Sequence, residues 1–263
     1  MNSVLTAAAL QMATTDDVST NAARIHTAVD EATANGADLL VTPECALSGY
    51  LPPDDLDFDA LDSAAKKLTR HASEAGLWLA LGTTRRSENG DWLNTARLIS
   101  PQGRTVGSYD KTHLMPADRR VFAPGSALPV FEAGDWTVGI QVCFDMRFPE
   151  NWRILRRKGA ELVLHLSNAS RSAHWKLPVL EGAVRSRAAE NGMFVVSAND
   201  ARTPQMMVSA ICDPDGRHLA SAPEAEETII YAELDRAEVK REFLAERRTD
   251  LWDTDQHRPL LLG

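Results

Sequence analysis

Three apolar or alternating runs of this chain end in side chains that can do chemistry together. Leu39-Leu40-Val41-Thr42-Pro43 ends in Glu44, Val106-Gly107-Ser108-Tyr109-Asp110 ends in Lys111, and Val138-Gly139-Ile140-Gln141-Val142 ends in Cys143. A thiolate is a strong nucleophile, a carboxylate can take its proton, and a fixed ammonium can stabilise an oxyanion, so the three form an acyl-transfer set. In open α/β sheets ligand chemistry gathers just beyond the carboxyl ends of strands, where all three fall. Spacing alone is also compatible with three separate strand ends facing solvent.

The elements that must position them alternate along the chain in the pattern of a layered α/β architecture. Ala7–Met12 reads as a strand, Asp16–Asn35 as a helix with Ala22, Ile25, Val29 and Ala32 on one face, and Gly36 as its stop before a buried strand over Asp38–Pro43. A second unit follows, with a helix over Asp59–Glu74, a stop at Gly76 and a strand over Leu77–Thr84. Turns at Asn89-Gly90 and Pro101-Gln102-Gly103 set off Trp92–Ser100 and Thr105–Asp110. Beyond the loop Pro116–Pro129 come strands over Leu128–Glu132 and Trp136–Cys143, then a helix Pro149–Lys158, with proline suited to its start, and a strand Glu161–Leu166. A helix around Trp175–Asn191, a strand Met193–Ala198, and strands Met207–Cys212 and Glu227–Leu234 around an Asp213-Pro214-Asp215-Gly216 turn complete the pattern. No linker or repeat interrupts it, so residues 1–263 read as one domain, with 236–263 a helix and tail suited to a subunit interface.

Composition narrows the class. With 44% hydrophobic and 25% charged residues the 263-residue chain has ample core material and no disorder signature. Its 28 basic against 37 acidic residues give −9, which repels polyanions and argues against nucleic acid. The stretch Val4–Met12 is too short to span a bilayer and lacks secretory flanks, so no membrane association and a cytoplasmic location are expected. Three cysteines, Cys45, Cys143 and Cys212, contain no C-x-x-C pair, which argues against a disulfide framework or zinc ribbon.

Four segments, taken in order, resemble the nitrilase superfamily, or carbon-nitrogen hydrolases. They are Leu39–Tyr50 around Glu44, Tyr109–Leu114 around Lys111, Gly139–Glu150 around Cys143, and Arg185–Asn191 followed by Phe194-Val195-Val196. The likeness runs from about Val4 to about Leu234. It implies an α-β-β-α sandwich, a homodimer or higher homo-oligomer packed helix layer on helix layer, and hydrolysis of a non-peptide carbon–nitrogen bond through a thioester, without metal or organic cofactor. It further implies that Glu44 is the general base, Lys111 the oxyanion-stabilising cation and Cys143 the nucleophile. Asp118 falls where many members carry a second glutamate, one methylene longer. Either Glu44 takes the thiol proton during attack, or the two rest as an ion pair beside Lys111, since a nearby cation lowers a thiol pKa from its usual ~8.5.

Tyr50, Phe144, Asn168 and Ala169 are the substrate-pocket candidates, since each lies on a loop following one of these strands or at the next strand's end. Cys45 is expected to point away from Glu44 along an extended segment, and Cys212 to be structural. His113 is a candidate for supporting Lys111, and Asp145 and Arg147 for an ion pair or loop brace. Carbamoylases of the family commonly carry an arginine where this chain has Met146, which argues for an uncharged substrate, and true nitrilases carry Trp-Glu where it has Phe144-Asp145, which favours amides over nitriles; the leading reading is an amidase acting on small, linear aliphatic amides. The alternatives are an N-carbamoyl amino acid hydrolase, an ω-amidase, a nitrilase, a Cys143–His165 hydrolase, or a non-enzymatic binding protein. The seven histidines include no H-E-x-x-H and no close pair, and there is no glycine-rich phosphate loop, so metal-hydrolase and nucleotide-binding readings lack support.

Overall fold

In the computed structural model, which describes residues 4–171 and 173–240, the central apolar runs become strands buried on both faces, while Thr105–Asp110 is partly exposed. Strand β1 (Val4–Gln11) shows how: Ala7 and Ala9 face one side and Ala8 and Leu10 the other, and all four are buried. Helix α1 (Val18–Ala34) starts where the Asp17 carboxylate accepts from Thr20 N at 2.6 Å and stops ahead of Gly36, whose φ of +76° favours glycine. Strand β2 (Leu39–Val41), helix α2 (Phe58–Glu74) capped by Asp57, and strands β3 (Trp78–Arg86), β4 (Trp92–Ile99) and β5 (Thr105–Asp110) complete the first half. The second contains β6 (Val130–Ala133), β7 (Trp136–Val142), α3 (Pro149–Arg157), β8 (Leu162–Leu166), α4 (Leu177–Asn191), β9 (Phe194–Ala198), β10 (Ala210–Cys212), β11 (His218–Ser221) and β12 (Thr228–Asp235).

Two six-stranded sheets result, ordered β12-β1-β2-β3-β4-β5 and β11-β10-β9-β8-β7-β6. The trios β1-β2-β3 and β7-β8-β9 run parallel, which is why both strand sets read as continuous apolar runs. The sheets face each other across a core of Ala9, Val41, Leu98, Ile140, Leu164 and Val196 with their neighbours. A second apolar layer joins the first sheet to α1 and α2, and a third joins the other sheet to α3 and α4. This is the expected α-β-β-α sandwich. Each fully buried leucine or valine contributes roughly 1.5–3 kcal/mol, so the inter-sheet layer fixes the relative position of the strand ends on both sheets.

Three local expectations change. The Asp213–Gly216 turn leads into β11, not into the strand at Thr228; β12 instead crosses to the first sheet and pairs antiparallel with β1. The sequence signal for β11 is faint because this edge strand is mostly exposed. Strand β10 begins at Ala210 because side chains satisfy the preceding backbone: Asn199 Nδ2 donates to Met207 O at 2.6 Å, and Ser209 N donates to Gln11 Oε1 at 2.8 Å. The helix after Trp175 opens with a 3-10 turn, His174–Lys176, and becomes α-helical at Leu177 with Pro178 in its first turn. At the C-terminal end a 3-10 turn spans Arg236–Glu238, and 241–263, most of the helix and tail expected there, lies outside the described residues.

Candidate active site

Glu44 follows β2 in a tight bend held by β3, where Leu47 N donates to Gly82 O at 3.0 Å. Only glycine fits at position 82, since a Cβ there would lie 2.1 Å from Pro43 O and 2.9 Å from Cys45 N. Glu44 N also reaches across to the other sheet, donating to Ser167 O at 3.3 Å. Lys111, directly after β5, is tied to β4 by its N–H on Asn94 O at 2.9 Å. Cys143, directly after β7, takes φ +46° as it begins a 3-10 helix, Cys143–Arg147. A non-glycine residue in this left-handed region costs on the order of 1 kcal/mol and aims its side chain out of the strand line.

The inter-sheet packing brings these ends together. Lys111 Nζ lies 2.7 Å from Glu44 Oε1 and 2.7 Å from Asp118 Oδ2, all three side chains fully shielded from solvent. Asp118 therefore reaches the lysine despite its missing methylene. Its Oδ2 also accepts from Met115 N at 3.0 Å, and its Oδ1 from the Tyr50 hydroxyl at 2.5 Å. Asn94 Nδ2 donates to Glu44 Oε1 at 2.7 Å, while the other carboxylate oxygen, Oε2, is buried without a partner among the described residues. A shielded carboxylate oxygen without a donor is strongly basic and fit to receive a proton.

The electrostatics follow from burial and these pairings. Burial raises the Glu44 pKa, and Asp118 adds to it, against the opposing pull of Lys111. Burial disfavours the Lys111 ammonium, but Glu44 and the other anionic groups around it outweigh that and hold its pKa well above the usual lysine range. The Cys143 thiol is pushed up to about 12, first by burial and then by Glu44; Lys111, the Asn168 backbone and the Ser167 hydroxyl offset this only in part. Lys111 does lower the thiol pKa, but burial outweighs it, and two carboxylates already claim the ammonium, so Cys143 rests as a neutral thiol and not as an ion pair with Glu44.

A polar brace sets the spacing between Lys111 and Cys143. The Asp145 carboxylate accepts from Tyr109 OH at 2.7 Å, His113 N at 2.9 Å and Val142 N at 3.0 Å, so it grips the ends of β5 and β7 together. Arg147 is exposed, and the side chain beside Asp145 is instead His113, whose Nδ1 lies 3.0 Å from Asp145 Oδ1. The His113 ring stacks on Phe148 at 3.6 Å.

Of the pocket candidates, Tyr50 borders the charged cluster, and Phe144 lines an adjoining cleft of about 450 Å³ with His113, Leu114, Arg119, Phe122 and Phe148. Asn168 presents its backbone to the thiol, while its amide is engaged with Thr14, Asp200 and Arg202 at 3.2 Å each. Ala169 is buried in the apolar layer beneath α3 and α4. The Cys45 segment is not extended: φ is +51°, and its thiol is buried beside Leu114 and Phe122. His165, buried between Ser197 Oγ at 2.8 Å and the Cys143 carbonyl at 3.3 Å, has its pKa pushed down to about 4 by burial. It is a neutral structural ring.

Sequence reasoning missed Asn94, Tyr109 and Ser167. The one available signal was Asn94 itself, an amide between Leu93 and Ala96 inside a strand, where burial is costly without a specific partner.

Comparison with known proteins agrees with this fold. The carbon-nitrogen hydrolase family model matches residues 6–241. A Pseudomonas protegens protein described as "Hydrolase in pqqF 5'region" is 34% identical over 259 residues, covering 90% of this chain and 86% of that protein. The Mus musculus omega-amidase NIT2 is 28% identical over 276 residues, covering 96% and 98%. The crystal structure of an amidase from Nesterenkonia sp. superposes with a TM-score of 0.84 at 27% identity, covering 94% and 95%. By this match along nearly its whole described length, the chain belongs to the carbon-nitrogen hydrolase family, within the nitrilase superfamily, and is a hydrolase acting on carbon–nitrogen bonds.

Proposed function

We propose that this single-domain enzyme is an amidase that hydrolyses small, linear aliphatic amides to a carboxylic acid and ammonia through a thioester on Cys143. The observation that carries the reading is the Lys111 ammonium fixed at 2.7 Å from both Glu44 and Asp118, beside a thiol and a carboxylate oxygen that lacks a donor. Glu44 takes the thiol proton as the sulfur attacks the amide carbon. The negative charge moves to the carbonyl oxygen, toward Lys111 and the N–H of Phe144, which lies in the first turn of a 3-10 helix where backbone donors lack helical partners. One such donor is typically worth ~3 kcal/mol, about 100-fold in rate. As the C–N bond breaks, Glu44 returns its proton to the nitrogen and ammonia leaves. Water then gives a proton to Glu44 and its oxygen to the thioester carbon; the sulfur departs and recovers the proton, which restores the site.

Substrate size is supported by the compact, aromatic cleft lined by Phe144, the residue that follows Cys143. Met146 is buried, so no side chain at that position grips a carboxylate. One feature favours a second reading: Arg119 lines the same cleft, and a guanidinium there suits an ω-amidase or carbamoylase substrate carrying a distal carboxylate. A variant of the Nesterenkonia amidase was crystallised in complex with butyramide, in keeping with the uncharged class. Ile154, Trp175 and Val179, exposed on or next to α3 and α4, support pairing of two copies through that helix layer. No helix among the described residues is long and apolar enough to cross a membrane.

The test is ammonia release from propionamide, a nitrile of equal length, an N-carbamoyl amino acid and glutaramate, with Cys143→Ala alongside. Turnover of propionamide that vanishes in the variant is expected. Turnover confined to the carboxylate-bearing substrates would move the reading to the second class, and activity surviving Cys143→Ala would refute the nucleophile.

A further inference from the structure

A second cluster of ionisable side chains lies away from the active site, where α1 and α2 run side by side over the first sheet. His26 and Asp30 stand one turn apart on α1, with His26 Nδ1 at 3.4 Å from Asp30 Oδ2. His71, in the last turn of α2, places Nε2 at 2.7 Å from Asp30 Oδ1. The two imidazoles stack face to face with centroids 3.5 Å apart and 13° between planes. One ligand atom from each of the three residues lies within 4.8 Å of the other two. In sequence the histidines are far apart, so no motif announces the pair.

An ordinary surface ion pair explains one histidine beside Asp30; it does not explain a second imidazole drawn from a separate helix onto the same carboxylate. Two imidazoles and one carboxylate are the donor set preferred by borderline first-row divalent cations, with a fourth position left to water. The i,i+4 spacing of His26 and Asp30 puts two donors on one helical face, and His71 closes the set from the neighbouring helix. The adjoining cleft, about 910 Å³, is lined by His26 together with Asp16, Asp17, Asp55 and Asp57 against a single cation, Lys67. Such a bias raises the local concentration of cations.

We infer that His26, Asp30 and His71 form a binding site for one divalent transition-metal ion of the zinc class, which clips α1 to α2. Nothing in the hydrolytic reaction passes through it. Parallel rings do not aim both lone pairs at one point, so loading unstacks them; the His26 side chain, 51% exposed, has room to turn. The metal then replaces a ring-on-ring contact with bonds that cross the helix pair, and the native fold gains stability as metal concentration rises above the dissociation constant.

The experiment is calorimetric titration of ZnCl₂ into the full chain and into His26→Ala, His71→Ala and Asp30→Asn, with melting temperature read at fixed zinc. Binding at the active-site thiol would be the same in all four proteins, so the difference isolates this site. Each histidine variant is expected to bind at least ~10-fold more weakly and to lose the zinc-dependent rise in melting temperature. In the unmodified chain, the ¹⁵N resonances of His26 Nδ1 and His71 Nε2 should shift together at one equivalent. Undiminished binding in both histidine variants, or zinc that moves neither ring resonance, would overturn the assignment.

Discussion

Replacing Asp118 by asparagine isolates what the second carboxylate contributes, because the shape is kept and only the charge is removed. Asp118 accepts three hydrogen bonds, from Lys111 Nζ at 2.7 Å, Met115 N at 3.0 Å and Tyr50 OH at 2.5 Å. An amide oxygen can keep the first two, and the Tyr50 hydroxyl can turn to accept from the new NH₂ group, so the fold survives. The gross attraction between unit charges at the Lys111 separation is about 6 kcal/mol at an effective dielectric constant of 20. Most of it is offset, because the amide no longer carries the desolvation cost of a buried carboxylate. The residue of this balance is close to one charge-assisted hydrogen bond, roughly 2 kcal/mol, or about 30-fold in rate. Lys111 is then drawn toward Glu44 alone, and in the mechanism we propose this loosens its aim at the oxyanion, so the loss should fall on kcat more than on KM. The assay is steady-state ammonia release from propionamide by the wild type, Asp118→Asn and Asp118→Glu. Wild-type kcat in Asp118→Asn would refute the positioning argument, and a loss as complete as that of Cys143→Ala would mean that Asp118 carries a proton itself.

Two further outcomes follow from the same geometry. Gly82→Ala places a methyl group 2.1 Å from Pro43 O, which forces the Glu44 bend to move; we expect a stability loss of about 2 kcal/mol or more in urea and a fall in kcat on the order of 100-fold, and an unchanged urea midpoint would contradict the contact. Burial holds the Cys143 and Cys212 thiols at about 12 and pushes Cys45 well above the ordinary 9.0, so native protein should show no thiolate absorbance step near 240 nm up to pH 10. The unfolded chain binds fewer protons than the native one in that range, so stability should fall as pH rises above about 9, by up to ~1.4 kcal/mol per pH unit for each cysteine. A native thiolate step at pH 8–9 would refute the burial argument.

The sequence by itself determined the layered α/β plan and the strand ends that carry Glu44, Lys111 and Cys143, because hydrophobic period and turn residues are local signals written along the chain. Asp118 was legible only through resemblance, and its reach to Lys111 became a fact only when the loop was folded. Tertiary structure alone decided that the three strand ends, drawn from two different sheets, meet; that Asn94 steadies one oxygen of Glu44 while the other stays free; and that Asp145 spaces Lys111 from Cys143. It also decided between the two resting states the sequence left open, since burial of the Cys143 thiol outweighs the Lys111 charge and keeps the proton on sulfur, and burial is a property of the packed layers. The crossing of β12 to the first sheet and the stacking of His26 on His71 belong to the same class. In each case the deciding quantity is a distance between residues far apart in the chain, fixed by the packing of the layers, and no local pattern encodes it.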